Sequence, residues 1–135
     1  MENQNLKFDF VFLGQSVLKY QVPLDIFATI NQIYEQNFHN LAPANGQLVG
    51  KIENEHSLFY HGQDQTKMKN HNMLPRDVTN YFIEMFRHYL AFNKIREYET
   101  HLNSIWVNEM KQHEYNPAHI HRGMLFTGLS SVMVL

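Results

Sequence analysis

Cysteine is absent from this chain of 135 residues, which excludes disulfides, thiolate metal sites and cysteine nucleophiles. A chain without cysteine also fits a reducing compartment. No apolar run approaches the roughly 18–20 residues that a membrane-spanning helix needs, and the first residues lack the pattern of a signal peptide. We therefore expect a cytoplasmic protein with no membrane partner.

An excess of positive charge is missing as well. Eleven Lys and Arg residues against 13 Asp and Glu residues give a net charge of −2, whereas nucleic-acid-binding surfaces are usually basic. We expect no nucleic acid partner. The hydrophobic content of 44% is ordinary for a globular protein, and the length predicts a single domain over residues 1–135.

Hydrophobic periodicity predicts the fold class. Apolar and polar residues alternate over Leu6–Phe12, which predicts a strand; Gly14-Gln15-Ser16 breaks it, and Val17–Val22 can return as a second strand. The spacing of apolar residues by three and four predicts helices over Pro23–Phe38 and Pro75–Phe92. We expect an α+β domain in which two helices pack on a mainly antiparallel sheet.

Further strands are predicted from shorter apolar runs. These are Leu48–Ile52, the segment around Trp106 and the run Ser131–Leu135. Polar composition predicts a surface loop over residues 60–72.

Two groups of ligand-type residues are expected to have structural roles. Glu53, Glu55 and His56 form an acidic and histidine-containing cluster, and we expect a solvated or hydrogen-bonded segment there because nothing in the sequence fixes its geometry. We expect His88, in the second predicted helix, to be a surface or packing residue rather than a ligand.

Metal-ligand spacing occurs at His119 and His121, which one residue separates. In a β-strand both side chains would leave the same face, with Cα atoms about 6.5–7 Å apart. Two imidazoles so placed can converge on one metal ion at roughly 2.0–2.2 Å. Pro117 suits the start of a strand. Against this, nine histidines in the chain make a chance pair plausible, and an ordinary hydrogen-bonded role stands beside the metal site.

Two patches of sequence carry a resemblance to a known family. Residues 106–123 contain WVN and then YNPAHIHRG, and residues 48–56 read LVGKIENEH. Both resemble the iron(II)- and 2-oxoglutarate-dependent oxygenases, in the form encoded by marine bacteria and their tailed phages. The resemblance extends from about Gln47 onward and is more specific over residues 106–123 than over residues 48–56.

The resemblance implies a fold, cofactors and roles for particular residues. It implies a double-stranded β-helix, or jelly roll, that binds Fe(II), 2-oxoglutarate and dioxygen and hydroxylates a substrate with release of succinate and CO2. His119 and His121 would be iron ligands. Asn108, on the strand face of Trp106 and Met110, is a candidate contact to 2-oxoglutarate. The nature of the substrate stays open.

The chain departs from the family pattern in two respects. Better-known members have a carboxylate two residues after the first histidine, where this chain has His121. The third ligand and the basic residue for 2-oxoglutarate are expected beyond Leu135, so we expect an N-terminal fragment of the barrel. Two alternatives remain: a cupin-like metal-binding protein, although no glutamate occurs over Arg122–Thr127, and a metal-free jelly roll that serves as a binding or phage structural module.

Overall fold

The part of the chain that the structure describes forms two α-helices and two small antiparallel sheets. The computed structural model describes residues 6–12, 16–44, 50–60, 73–119 and 128–134. The elements follow one another as β1 (Phe8–Phe12), β2 (Ser16–Tyr20), α1 (Leu24–Asn37), a short 3-10 helix (Phe38–Asn40), β3 (Ala42–Pro43), β4 (Asn54–Tyr60), α2 (Arg76–Phe92) and β5 (Ser104–Glu109). The predicted α+β class is confirmed, and the jelly roll stays a prediction.

Both helices lie within one residue of their predicted bounds. Pro23 precedes α1, and its carbonyl accepts a hydrogen bond from the Phe27 amide at 3.0 Å. Pro75 has an extended backbone at φ −60° and ψ 155° and directly precedes α2. Because proline lacks an amide hydrogen and has a fixed φ, it is well suited to this place at a helix start.

The chain divides into two compact units. The first unit comprises Met1–Thr29 and Pro75–Leu102, and the second comprises Ile30–Leu74 and Asn103–Leu135. The single sheet that the sequence predicts is therefore replaced by one sheet in each unit. Strand pairing depends on contacts between distant segments, which periodicity does not specify.

In the first unit, the hairpin of β1 and β2 packs against α2. Phe8 pairs with Tyr20 across the hairpin, and both rings contact His88 of α2, at centroid distances of 4.8 and 5.6 Å. His88 is thus a packing residue, as predicted. The spacing of the buried α2 residues follows one helical face: Val78, Tyr81, Phe82 and Met85.

In the second unit, β3, β4 and β5 form an antiparallel sheet with β4 in the middle. A bulge between Ser57 and Phe59 shifts the register of β4 on β5, and Leu58 at that bulge is fully buried. Other buried apolar residues of this unit are Ile30, Leu41, Ala44, Ile52 and Leu74.

Two strand predictions differ from the structure. Of Leu48–Ile52, the first two residues lie outside the described residues, while Lys51 makes only an isolated bridge and the strand begins at Asn54. Residues 131–134 are not in a strand, and Val132 and Val134 are exposed. Among the described residues no strand pairs with this last segment, so its apolar composition alone does not produce one.

Candidate functional site

His119 lies at the end of a segment whose backbone is held in place by residues 50–51. Its Nδ1 is 2.7 Å from the carbonyl oxygen of Pro117. A carbonyl only accepts, so Nδ1 carries the hydrogen and the neutral ring has its lone pair on Nε2. This is the tautomer in which histidines commonly bind metals through Nε2. His119 is exposed, and His121 lies outside the described residues.

The segment that precedes His119 crosses Gly50 at very short range. Lys51 and Tyr115 exchange two backbone hydrogen bonds, of 2.9 and 3.2 Å. A methyl group added at Gly50 would lie 2.6 Å from the Tyr115 carbonyl oxygen and 3.1 Å from Cδ of Pro117. Gly50 also has φ +113°, which only glycine adopts readily. The two patches that carry the family resemblance are therefore in direct contact.

The turn between β5 and this segment is fixed by a carboxylate. Glu114 accepts hydrogen bonds from the backbone amides of Lys111, at 2.7 Å, and of Glu53, at 2.8 Å. These two amides hold the pKa of Glu114 below its ordinary value. Lys111 in turn forms an ion pair of 2.9 Å with the Glu53 side chain. Glu114 is thus an ionised group that joins the two patches a second time.

Glu55 and Asn108 stand opposite each other on β4 and β5, so their side chains share one face of the sheet. Trp106 lies on that face as well, because it is two residues from Asn108. Glu55 is only 3% exposed. Its Oε1 and the Oδ1 of Asn108 are both buried and have no hydrogen-bond partner in the described part of the chain. We call Glu55 and Asn108 the buried pair.

Burial raises the pKa of the Glu55 carboxyl, and the negative charge of Glu114 raises it further. Glu55 is thus not solvated, and its Oε1 accepts no hydrogen bond from the described residues. For Glu53 the expectation of a solvated or hydrogen-bonded segment is correct, since Glu53 is exposed and paired with Lys111. The two glutamates differ because Glu55 lies within β4, on the buried face of its sheet, whereas Glu53 precedes the strand and is exposed.

The opposite face of the same strands carries a cluster that the sequence did not single out. His56 packs against Phe38 at a centroid distance of 4.7 Å and against Tyr34 at 6.2 Å. The Tyr34 hydroxyl donates to Glu109 at 3.1 Å, and the Asn54 amide donates to the same carboxylate oxygen at 3.3 Å. In the sequence, only the spacing of four between Tyr34 in α1 and Phe38 in the following 3-10 helix indicated this contact surface.

The acid–base properties of this cluster follow from burial. Burial lowers the pKa of His56, although the nearby Glu109 carboxylate acts in the opposite direction. Burial, together with the hydrogen bond to Glu109, raises the pKa of Tyr34 to about 12. The buried Nδ1 of His56 has no partner among the described residues. His56 is therefore expected to stay neutral at physiological pH.

The described residues contain no group of three His, Asp or Glu side chains that could hold a metal ion. The predicted iron pair of His119 and His121 is not covered by that finding, since His121 is outside the described residues. Where the structure describes the chain, no helix has the length and apolar character needed to cross a membrane.

Comparisons with family models, curated proteins and solved structures found no match. The function must therefore be argued from the residues of the chain and their contacts.

Proposed function

We propose that the protein is an oxygenase dependent on Fe(II) and 2-oxoglutarate, in which His119 and His121 hold the iron and Asn108 contacts the co-substrate. The observation that carries the proposal is the contact between Gly50–Lys51 and Tyr115–Pro117. The two patches were selected by resemblance alone and lie 50 or more residues apart in the sequence. Their contact is expected if both belong to one site.

The residues that would hold the iron fit its chemistry. Imidazole is a common ligand of non-haem iron, and the Nδ1 bond to the Pro117 carbonyl selects the ring tautomer with its lone pair on Nε2. Histidine ligands usually have such a second hydrogen bond, which fixes the ring. When bound, iron together with 2-oxoglutarate supplies the activation of dioxygen and the hydroxylation of a C–H bond.

The chain's own residues would position the reactants and exclude water. Trp106 and Asn108 share one face of β5, where the carboxamide offers a hydrogen-bond donor to a carboxylate. Because Gly50 has no side chain, the segment before His119 can pass close to the backbone at Gly50 without a steric clash. Glu114 holds the turn between Asn108 and His119 through two backbone amides.

The test compares the wild type with His119→Ala and His121→Ala for Fe(II) binding and for succinate formation from 2-oxoglutarate. We expect both variants to lose iron and succinate formation. His101→Ala is the matched control, since His101 is exposed and its described ion pair is with Glu99, at 3.1 Å, and this variant should behave as the wild type does.

Three outcomes have distinct meanings. Full iron occupancy in both variants would refute the assignment of the ligands. Loss in His119→Ala alone would remove His121 from the ligand set. A wild-type protein that binds neither iron nor 2-oxoglutarate would favour the metal-free binding module.

A further inference from the structure

The buried pair contains two buried acceptor oxygens that receive no hydrogen bond from the described residues. Oε1 of Glu55 and Oδ1 of Asn108 belong to residues directly opposite in the β4–β5 ladder. Side chains at such positions start from Cβ atoms about 4.5–5.5 Å apart. Two unpaired buried oxygens at this range are unfavourable if the carboxyl is ionised, because each lacks a donor and the charge lacks solvent.

The adjacent rung of the ladder offers an internal comparison. Asn54 and Glu109 are likewise an amide and a carboxyl directly opposite each other on β4 and β5, and we call them the exposed pair. There the amide donates to the carboxylate at 3.3 Å. The buried pair has the same two side-chain types and makes no such bond. The amide of Asn108 is therefore turned so that its oxygen, not its nitrogen, occupies the buried position.

The charge near Glu55 argues for a neutral carboxyl. Glu114 is ionised, because two backbone amides bind its carboxylate. A second carboxylate nearby is disfavoured by repulsion, as it is in acidic pairs that share one proton. The cations that act on this region, Lys51 and Lys111, lower the pKa of Glu114, and Lys111 also pairs with Glu53.

We propose that the Glu55 carboxyl is protonated at neutral pH and donates a hydrogen bond to Oδ1 of Asn108. This hydrogen bond fixes the orientation of the Asn108 amide, so that its nitrogen is the donor presented to a ligand. One proton satisfies both buried oxygens at once. Glu55 is then a positioning residue that acts through Asn108. The protonation of Glu55 is inferred from the buried pair alone. The identification of the ligand as 2-oxoglutarate rests on the proposed function.

2-Oxoglutarate is a suitable acceptor for the amide nitrogen of Asn108. At neutral pH its two carboxylates and its keto group only accept hydrogen bonds, so it cannot satisfy either buried oxygen. It can accept from the amide nitrogen of Asn108 once the amide oxygen is bound by Glu55. A freely rotating amide would present oxygen to the co-substrate in part of the molecules and weaken its binding.

The proton is tested by infrared spectroscopy of the metal-free protein at neutral pH. We expect the carbonyl band of a protonated carboxylic acid in the wild type, its loss in Glu55→Gln and its retention in Glu109→Gln, which changes the carboxyl of the exposed pair. A wild-type spectrum in which Glu55→Gln removes no such band shows that Glu55 is ionised and overturns the proposal.

A second variant covers the case in which Glu55→Gln does not fold. Glu114→Gln removes the charge that opposes ionisation of Glu55 and keeps an acceptor oxygen for one of the two backbone amides, those of Lys111 and Glu53, that the carboxylate binds. We expect the carboxylic acid band to disappear at a lower pH in Glu114→Gln than in the wild type. An identical pH profile in the two proteins would overturn the role given to Glu114 and with it the reason for the proton.

The positioning role is tested by 2-oxoglutarate binding to the Mn(II)-loaded protein, which measures affinity without turnover. Glu55→Gln keeps a donor towards Asn108 and should bind as the wild type does, whereas Glu55→Leu has none and should bind about tenfold more weakly. Mn(II) affinity should be equal in all three. Equal 2-oxoglutarate affinity in Glu55→Leu would overturn the positioning role.

The two experiments separate the inference from the proposed function. If the wild type shows the carboxylic acid band but does not bind 2-oxoglutarate, the proton on Glu55 is correct while the co-substrate and the positioning role are wrong. If 2-oxoglutarate binds but no band is lost in Glu55→Gln, the proposed function survives and the inference about Glu55 fails.

Discussion

The two units of the chain treat their polar groups differently. In the first unit, the Tyr20 hydroxyl lies 2.8 Å from Nδ1 of His88, and Tyr89 donates to the Ser16 carbonyl at 2.9 Å. Tyr81, whose buried hydroxyl has no partner among the described residues, is the exception there. The second unit contains three such atoms, on Glu55, His56 and Asn108.

This difference indicates where the chain departs from the most stable arrangement. A buried polar atom without a partner costs about 1–3 kcal/mol, and such atoms concentrate at sites of binding and catalysis. All three atoms of the second unit belong to residues of β4 and β5, which are neighbouring strands of one sheet. Glu55 pairs with Asn108, and His56 belongs to the next pair along the two strands. In the first unit, most of the polar groups named here are hydrogen-bonded, as in a structural domain. The second unit contains the unpartnered buried groups that suggest a function.

The largest effect is expected at the contact that joins the two patches of the second unit. Gly50→Ala places a methyl group 2.6 Å from a backbone oxygen at φ +113°, so we expect it to lower the free energy of unfolding by about 3 kcal/mol. Urea denaturation measures this loss. Lys51→Ala is the control, because Lys51 contacts Tyr115 through backbone atoms, and it should change stability by less than about 0.5 kcal/mol. Equal stability of Gly50→Ala and wild type would show that the crossing is not tight.

A pair of matched substitutions tests the comparison itself. His88→Phe removes one of two partners of the Tyr20 hydroxyl and leaves the Met85 carbonyl at 3.4 Å, so it should destabilise the protein by about 1 kcal/mol. His56→Phe keeps the ring packing on Phe38 and removes a buried nitrogen that has no partner among the described residues, so stability should be unchanged or rise by up to about 1 kcal/mol. If both substitutions cost the same, the difference between the units is not real.

The pH dependence of the same variants gives an independent reading. The folded pKa of His56 lies below its ordinary value of 6.5, so below that pH the unfolded chain binds more protons than the folded one. Stability is therefore lost as the pH falls from about 6.5 towards the folded pKa. His56→Phe should show a shallower loss over this acid range in denaturation curves. Parallel curves for the two proteins would show that burial does not shift His56.

Much of the fold could be predicted from the sequence because much of it is local. Both helices depend on apolar spacing and on Pro23 and Pro75, all of which are visible in the sequence. The strands at Phe8–Phe12 and Ser104–Glu109 were also predicted. The division into two units was not, because it depends on which distant segments pair.

The candidate site was predicted only in part, for a similar reason. The resemblance selected residues 48–56 and 106–123, but their contact through Gly50 is a tertiary feature. The burial of Glu55 follows from the face on which it lies opposite Asn108, and that register is set by β5, more than 50 residues later in the sequence. His121 remains a prediction from the sequence.

The smallest effect is expected at Tyr34, whose hydroxyl donates a hydrogen bond within the second unit. Tyr34→Phe removes its hydrogen bond to Glu109, and at neutral pH this should cost about 0.5 kcal/mol, since the bond is exposed. The effect should change with pH. An unfolded tyrosine ionises near the ordinary value of 10.0, whereas the folded pKa of Tyr34 is about 12. Between these values the folded state retains a proton that the unfolded state has lost, so the contribution of Tyr34 is full below pH 10 and declines towards pH 12.

Tyr20→Phe is the matched variant, because burial raises the pKa of Tyr20 to about 12 as well, although its hydroxyl meets His88 rather than a carboxylate. Denaturation curves at pH 8 and pH 11 should therefore show each phenylalanine variant less sensitive to alkali than the wild type. The absorbance titration of tyrosine should lose one late-ionising group in each. A Tyr34→Phe protein with the wild-type alkaline profile would mean that Glu109 does not hold the Tyr34 proton, and that the hydroxyl is effectively in solvent. The Tyr34 hydroxyl would then join the unpartnered polar groups among the described residues of the second unit, and the contrast with the first unit would be larger than the hydrogen bonds indicate.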